Sequence, residues 1–265
     1  MSTTDTSLTS DIVPPALAVV VPVKNETENL KPLISEIADS LRGQEPFEIV
    51  YVDDGSDDDT PTKLVELTVE FPELKVFRHK ICCGQSAAVS SGVKMADAPV
   101  IATLDGDGQN DPADIPALLA RFREFDDPDK ILIAGHRTKR KDSWLKRVSS
   151  RFANSIRAGI LKDDTPDTGC GLKVFSRNAF LTMPRFDHMH RYLPALMIRS
   201  GGKVISVPVN HRPRERGTSK YGVWNRLWVG IADLFGVMWL IRRGSVPTLD
   251  RLEGKDAYAP KGDAK

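Results

Sequence analysis

Three short runs in the first half of the chain, Leu17 to Val23, Phe47 to Val52 and Val100 to Leu104, are apolar at nearly every position instead of every second one. Strands of that composition must be covered on both faces, as in a parallel sheet with helices on either side. Helical periodicity fills the gaps between them. Over Glu26 to Leu41 apolar residues recur at Leu30, Leu33, Ile34, Ile37 and Leu41, and Thr60 to Phe71 and Gln85 to Met95 repeat the pattern. Val76 to His79 and Ile131 to Gly135 read as further strands, the second following a helix over Ile115 to Phe125. Five alternations of strand and helix predict an α/β fold: an open, mostly parallel sheet flanked by helices, with ligands at the carboxyl ends of its strands.

Those ends carry the chemistry-bearing residues. The third run closes on Asp105-Gly106-Asp107-Gly108-Gln109-Asn110-Asp111-Pro112. Two carboxylates at i and i+2 of an extended segment share a face and can reach one hard divalent cation, with Gln109 adding a neutral oxygen. Asp111 stands where an N-cap would, and Pro112 suits the first turn of the helix that follows. An EF-hand is excluded, because a strand precedes the acids and no glutamate closes the loop. A solvated acidic turn is the plainer alternative. The first run is followed by Pro22-Val23-Lys24-Asn25-Glu26 and the second by Asp53-Asp54-Gly55-Ser56-Asp57-Asp58-Asp59-Thr60. Neither GxGxxG nor a P-loop occurs, so a nucleotide would be held in some other way.

Composition narrows the partners. Lys and Arg total 37 against 36 Asp and Glu, a formal net charge of +1 that gives no bulk attraction to nucleic acid, so any anionic partner must be met by a local patch. The three cysteines, Cys82, Cys83 and Cys170, form neither a disulfide framework nor a zinc spacing, and the five histidines show no metal spacing either. Cys82 and Cys83 read as small loop residues, and His188-x-His190 as a plain loop. A reducing cytoplasm is the expected compartment. Residues 1–15 are polar and acidic with no basic flank or apolar core, which reads as a disordered lead-in and not a secretory signal; residues 244–265 read as a mobile tail.

Taken in order, Pro22-x-x-Asn25-Glu26, Val52-Asp53-Asp54-Gly55-Ser56-x-Asp58-x-Thr60, Gly84-Gln85-Ser86-Ala87-Ala88 and Asp105-Gly106-Asp107 resemble the family 2 glycosyltransferases of GT-A fold. Asp107-Gly108-Gln109-Asn110-Asp111-Pro112, Asp167-Thr168-Gly169-Cys170-Gly171-Leu172-Lys173 and Arg216-Gly217-Thr218-Ser219-Lys220-Tyr221 bring the resemblance closer to the polyprenyl-phosphate sugar synthases of the dolichol-phosphate mannose synthase type. The likeness spans about Leu17 to Arg243 and implies a catalytic domain over residues 16–221.

The resemblance implies a UDP- or GDP-linked sugar donor bound by Pro22, Asn25, Glu26, Asp53, Asp54, Gln85 and Asp105. Asp53 is the first choice for the nucleoside, while Glu26 fits equally a first-turn acid and Asp57 to Asp59 fit a helix cap. It implies Mg²⁺ or Mn²⁺ on Asp105, Asp107 and Gln109. It also implies a polyprenyl phosphate acceptor held by Arg137, Lys146, Arg147, Ser150, Arg212, Arg216 and Lys220, arginine being suited to bidentate phosphate contacts. Asp107 and Asp167 are the expected catalytic residues, Asp167 either orienting a substrate or standing as another loop acid.

Residues 222–243, GVWNRLWVGIADLFGVMWLIRR, are long enough to span a bilayer but contain Arg226 and Asp233, which are costly there. Three tryptophans and a closing Arg242-Arg243 fit an amphipathic helix in the membrane interface, and a helix packed on the core is the alternative. The expected protein is an inverting, peripheral enzyme on the cytoplasmic membrane face. Rival readings are a transferase that extends a polysaccharide, whose Glu-Asp base and Q-x-x-R-W signature are not found here, and a catalytically idle nucleotide-sugar-binding scaffold.

Overall fold

The computed structural model describes residues 13–138, 159, 161, 165–213 and 223–245, with backbone alone over 223–229. Seven strands form one sheet in the order β3-β2-β1-β4-β6-β5-β7. The first half is a run of strand–helix units: β1 (Leu17–Val23), α1 (Leu30–Leu41), β2 (Phe47–Asp53), α2 (Thr60–Glu70), β3 (Leu74–Arg78), α3 (Gln85–Met95) and β4 (Val100–Thr103). A 3₁₀ turn at Pro112–Asp114 leads into α4 (Ile115–Phe122), followed by β5 (Ile131–Arg137). The second half supplies β6 (Lys173–Ser176), α5 (Arg177–Thr182), α6 (Leu193–Arg199), β7 (Lys203–Val209) and α7 (Val223–Arg242).

β1 pairs in parallel with both β2 and β4, and β5 pairs in parallel with β7. β6 runs antiparallel between β4 and β5. Alternate residues of β1 enter different layers, as the two-residue strand period requires. Leu17, Val19 and Val21 meet α1, α2 and α4 through Leu30, Ile34, Leu64 and Leu118, whereas Ala18 and Val20 meet α3, α5 and α6 through Val89, Phe180 and Leu196. Every residue of β1 is buried, which explains the unbroken apolar run.

Helix α1 starts at Leu30 instead of Glu26, because Asn25 adopts φ 52 and turns the chain before the helix can form. Asp111 is the cap that its position implied, its side chain accepting from the Ala113 N–H at 3.1 Å. Helix α7 takes up 223–242 of the expected 222–243, and its described side chains divide into two faces. Val237 is buried and, with Leu234, Met238 and Ile241, packs near Tyr192 and Ala195 of the α6 segment. Ile231, Phe235 and Trp239 point outward at successive four-residue steps. Asp233 is ion-paired to His188 at 3.0 Å. Among the described residues no helix is long and apolar enough to cross a membrane.

Candidate active site

The strand order reverses between β1 and β4, and in open α/β sheets ligands bind in the crevice beyond the strand ends at such a point. A cleft of about 470 Å³ opens there, its wall including Pro22 from β1, Asp105, Asp107 and Gln109 from the turn after β4, Gln85 from α3 and Arg137 from β5. Six of the residues expected from sequence are thereby brought together.

Gly108, at φ 72, lets the turn fold back, and the Gln109 N–H donates to the Asp107 carboxylate at 3.1 Å. Asp105 accepts from the Gln85 amide at 2.8 Å. Burial, and then the charge of Asp107, push the Asp105 carboxyl above its ordinary pKa, only partly offset by Lys173, Arg137 and Gln85. A buried carboxylate whose charge is penalised beside a second acid fits a divalent cation, whose charge would reverse that penalty. Gly171 supports the same fit: a Cβ there would overlap the Asp105 carboxylate, so the acid is seated against bare backbone.

Basic side chains share the cleft. Arg137 donates to Asp167 through Nε at 2.6 Å and Nη2 at 2.8 Å, with both side chains largely buried. Burial opposes the Arg137 charge, but Asp167 more than compensates and keeps the guanidinium firmly protonated. Lys173, fully enclosed at the head of β6, donates to the Cys170 carbonyl; burial lowers its pKa, against the pull of Cys170, Asp105 and Asp167. His190 shares a hydrogen bond with the Ser86 hydroxyl at 2.7 Å, and burial first, then Lys173, Arg191 and His188, push it down to about 3, so it is neutral in the working range. Sequence reasoning gave no role to Lys173 or His190. A lysine inside the otherwise apolar start of β6 was the available signal for the first; the second was dismissed as a loop residue, and only the fold carries it to the cleft.

The remaining expected donor residues lie apart from the cleft wall. Asp53 is wholly buried, accepts from the Ser56 N–H at 3.0 Å and pairs with Arg78 at 2.9 Å. Asn25 accepts from the Asp57 N–H at 3.0 Å, and Glu26 accepts from Asn29 at 2.7 Å. Asp58, not Asp59, caps the start of α2, accepting from the Thr60 N–H at 3.0 Å. Asp54 gathers the loop after β3: it accepts from His79 at 2.8 Å, Cys82 Sγ at 3.2 Å, Cys83 N–H at 2.8 Å and Gly84 N–H at 2.7 Å. The ligand atoms of Asp54, His79 and Cys83 all fall within 4.8 Å of one another, a grouping outside the reach of the sequence reading, which found no metal spacing among the histidines and cysteines. The three residues are too far apart in sequence for any spacing to show it.

Arg212, expected at the acceptor phosphate, bridges Glu36 at 2.6 Å and Asp111 at 2.7 Å, and its N–H donates to the Gln109 carbonyl at 2.9 Å. Arg212 is therefore fixed to the acidic turn. Lys146, Arg147, Ser150, Arg216 and Lys220 lie outside the described residues.

An acid pair and buried basic residues thus share one cleft at the switch point of the sheet. The family model for glycosyl transferase family 2 matches residues 18–183, and the chain belongs to that family of glycosyltransferases. It is 33% identical over 238 residues to a dodecaprenyl-phosphate galacturonate synthase of Rhizobium johnstonii, an alignment covering 87% of this chain and 69% of that protein. It is 30% identical over 207 residues to an undecaprenyl-phosphate 4-deoxy-4-formamido-L-arabinose transferase of Proteus mirabilis, covering 77% of this chain and 62% of the relative. Among solved structures, glucosyl-3-phosphoglycerate synthase from Mycobacterium tuberculosis with Mn²⁺, UDP and glucosyl-3-phosphoglycerate superposes with a TM-score of 0.60 at 16% identity, over 88% of this chain and 81% of the other. A mannosyltransferase from Pyrobaculum calidifontis with GDP-Man and Mn²⁺ gives 0.61 at 22% identity, over 89% and 67%. These likenesses establish the GT-A fold.

Proposed function

We propose that the protein transfers a sugar, with inversion, from a UDP- or GDP-sugar to a polyprenyl phosphate. The observation that carries this reading is the gathering, in one cleft, of the Asp105–Asp107 pair and the basic residues Arg137 and Lys173. The acids suit a metal-bound diphosphate and the Arg137 guanidinium an anionic acceptor. The names of the two relatives supply the acceptor class, and structural neighbours holding Mn²⁺ with UDP or GDP-Man support the donor.

Asp105 and Asp107, with Gln109 beside them, would hold Mg²⁺ or Mn²⁺, which as a Lewis acid stabilises negative charge on a departing diphosphate. Gln85 fixes the orientation of Asp105. Asp167 is a positioning residue: its two oxygens hold the Arg137 guanidinium in the cleft wall, where it can meet an acceptor phosphate. The acceptor oxygen attacks the anomeric carbon as the bond to the nucleoside diphosphate breaks. A phosphate monoester is largely ionised at neutral pH, so the acceptor needs no strong general base; His190, already neutral, is left to shape the wall with Ser86. Proximity and charge stabilisation supply the rate.

Membrane contact belongs to the same reading. Phe235 and Trp239, 58% and 59% exposed, continue the line of Ile231 along the outer face of α7 and end beside Arg242 and Arg243. Aromatic side chains followed by cations suit the interface of an anionic membrane, and an acceptor embedded there would be delivered at the surface.

The decisive experiment incubates the protein and Mn²⁺ with labelled UDP- and GDP-sugars, with and without polyprenyl phosphate. An acidic glycolipid is expected from one donor. Nucleotide binding without lipid product from any donor would reject the reading. Asp107→Ala should abolish transfer while circular dichroism stays native, and undiminished turnover would show the metal assignment wrong.

A further inference from the structure

We infer that Asp54, His79 and Cys83 form a second divalent-cation site, selective for a thiophilic ion of the Zn²⁺ class, through which such an ion weakens nucleotide binding. The three side chains stand at the end of β2 and in the loop between β3 and α3, with their ligand atoms within 4.8 Å of one another. Zinc bonds of about 2.0–2.3 Å place tetrahedral ligands roughly 3.3–3.8 Å apart, so a small side-chain contraction closes the set. His79 Nδ1 and the Asp54 carboxylate already touch at 2.8 Å.

The groups around the cluster favour the metal-bound form. His79 Nε2 lies 2.9 Å from the Ser91 hydroxyl, a partner that can hold the tautomer with the proton on Nε2 and the lone pair on Nδ1. Asp54 keeps two donors that no cation displaces, the Cys83 and Gly84 N–H groups. Coordination removes the hydrogen bond from His79 and releases the Cys83 thiol proton to solvent. Cys83 is exposed, so an ion reaches it without unfolding, and Cys82, also exposed, touches Asp54 from the other side.

Chemistry separates this cluster from the acid pair in the cleft. Imidazole and thiolate select a borderline-soft ion, whereas Asp105, Asp107 and Gln109 offer only oxygen and suit Mg²⁺ or Mn²⁺. The two places are joined by few residues. Gly84 N–H is bound to Asp54, and the next residue, Gln85, donates to Asp105. Tightening the loop around a metal pulls on Gln85 and so on the carboxylate that would hold the donor's cation. This coupling rests on the proposed nucleotide-sugar function; the metal site does not.

Co²⁺ serves as the probe, because thiolate ligation gives ultraviolet charge-transfer bands that oxygen ligation does not. The wild-type protein should bind Co²⁺ with those bands. Cys83→Ser should lose them, His79→Gln should weaken the affinity, and Asp107→Asn should retain them. Bands that are absent, that survive Cys83→Ser or that vanish in Asp107→Asn would overturn the site. Cys83 is at the surface, and a native far-ultraviolet spectrum of the serine variant checks its fold. In a second arm, Zn²⁺ added to Mg²⁺-loaded protein should weaken UDP or GDP binding about tenfold in the wild type and not in Cys83→Ser. Zn²⁺-independent nucleotide affinity would reject the coupling while leaving the site standing, and no nucleotide binding at all would count against the proposed function instead.

Discussion

The carboxyl of Asp105 is raised above its ordinary pKa because burial and the facing Asp107 both penalise its charge. Below the unfolded-state value the group is protonated in both states and the penalty vanishes; it grows as pH rises toward the folded value and is complete above it. Asp105→Asn should therefore stabilise the metal-free protein at neutral pH by on the order of 1 kcal/mol, while removing any rise in melting temperature on adding Mn²⁺. A metal-free melting temperature below wild type would contradict this. Gly171→Ala tests the same seat from its other side. The added methyl displaces the Asp105 carboxylate, and Mn²⁺ affinity measured by calorimetry should fall about tenfold or more. At this scale the acid pair was legible because its spacing is local, and Arg137 because it stands just past a readable strand within the family resemblance. The partnership of Arg137 with Asp167 was not, since it joins residues 30 positions apart.

Elements were most legible where one force dominated. β1 and α3 fall within the ends read from sequence: every residue of β1 is buried, and α3 buries Ala88, Val89 and Val93 among small residues on one side. β6 and β7 were missed: β6 is only four residues long and opens on a lysine, and β7 has a mixed pattern of burial. Helix α7 was read as either a membrane-facing or a core-packed segment, and its described part has one face packed near the α6 segment and one exposed. That division gives a separable test. Phe235→Ser with Trp239→Ser should release the protein from anionic vesicles in a flotation assay, with no change in unfolding free energy beyond about 0.5 kcal/mol, because neither side chain is buried. Retention on vesicles would place the membrane contact elsewhere.

For the whole molecule, the response to acid should be set in part by Asp54. Burial by itself would raise its pKa, but the hydrogen bonds from Cys83, His79, Cys82 and Gly84 outweigh that and hold it below the ordinary carboxylate value. A depressed folded-state pKa contributes stability that is present above the unfolded value, about pH 4, and is lost as pH falls through the lower folded one. Asp54→Asn should cost about 1–3 kcal/mol at neutral pH and flatten the acid limb of the stability curve in urea titrations. An equally steep acid limb in the variant would assign that limb to other carboxylates. The general architecture was readable because alternating apolar runs and amphipathic helices permit few arrangements. The antiparallel insertion of β6 between β4 and β5 was not, because strand order is a property of long-range pairing.

That insertion has an outcome for how such a chain can change. Ala134 of β5 stands directly across from Lys173 of β6, so the chain leaves the sheet near Arg137 and comes back beside where it left. Between these neighbouring ends lies an excursion in the sequence that includes Lys146 and Arg147, expected at the acceptor phosphate. Excursions of this kind can be lengthened, shortened or exchanged while every strand keeps its register. The sheet and the stretch between β5 and β6 are thus free to diversify at different rates.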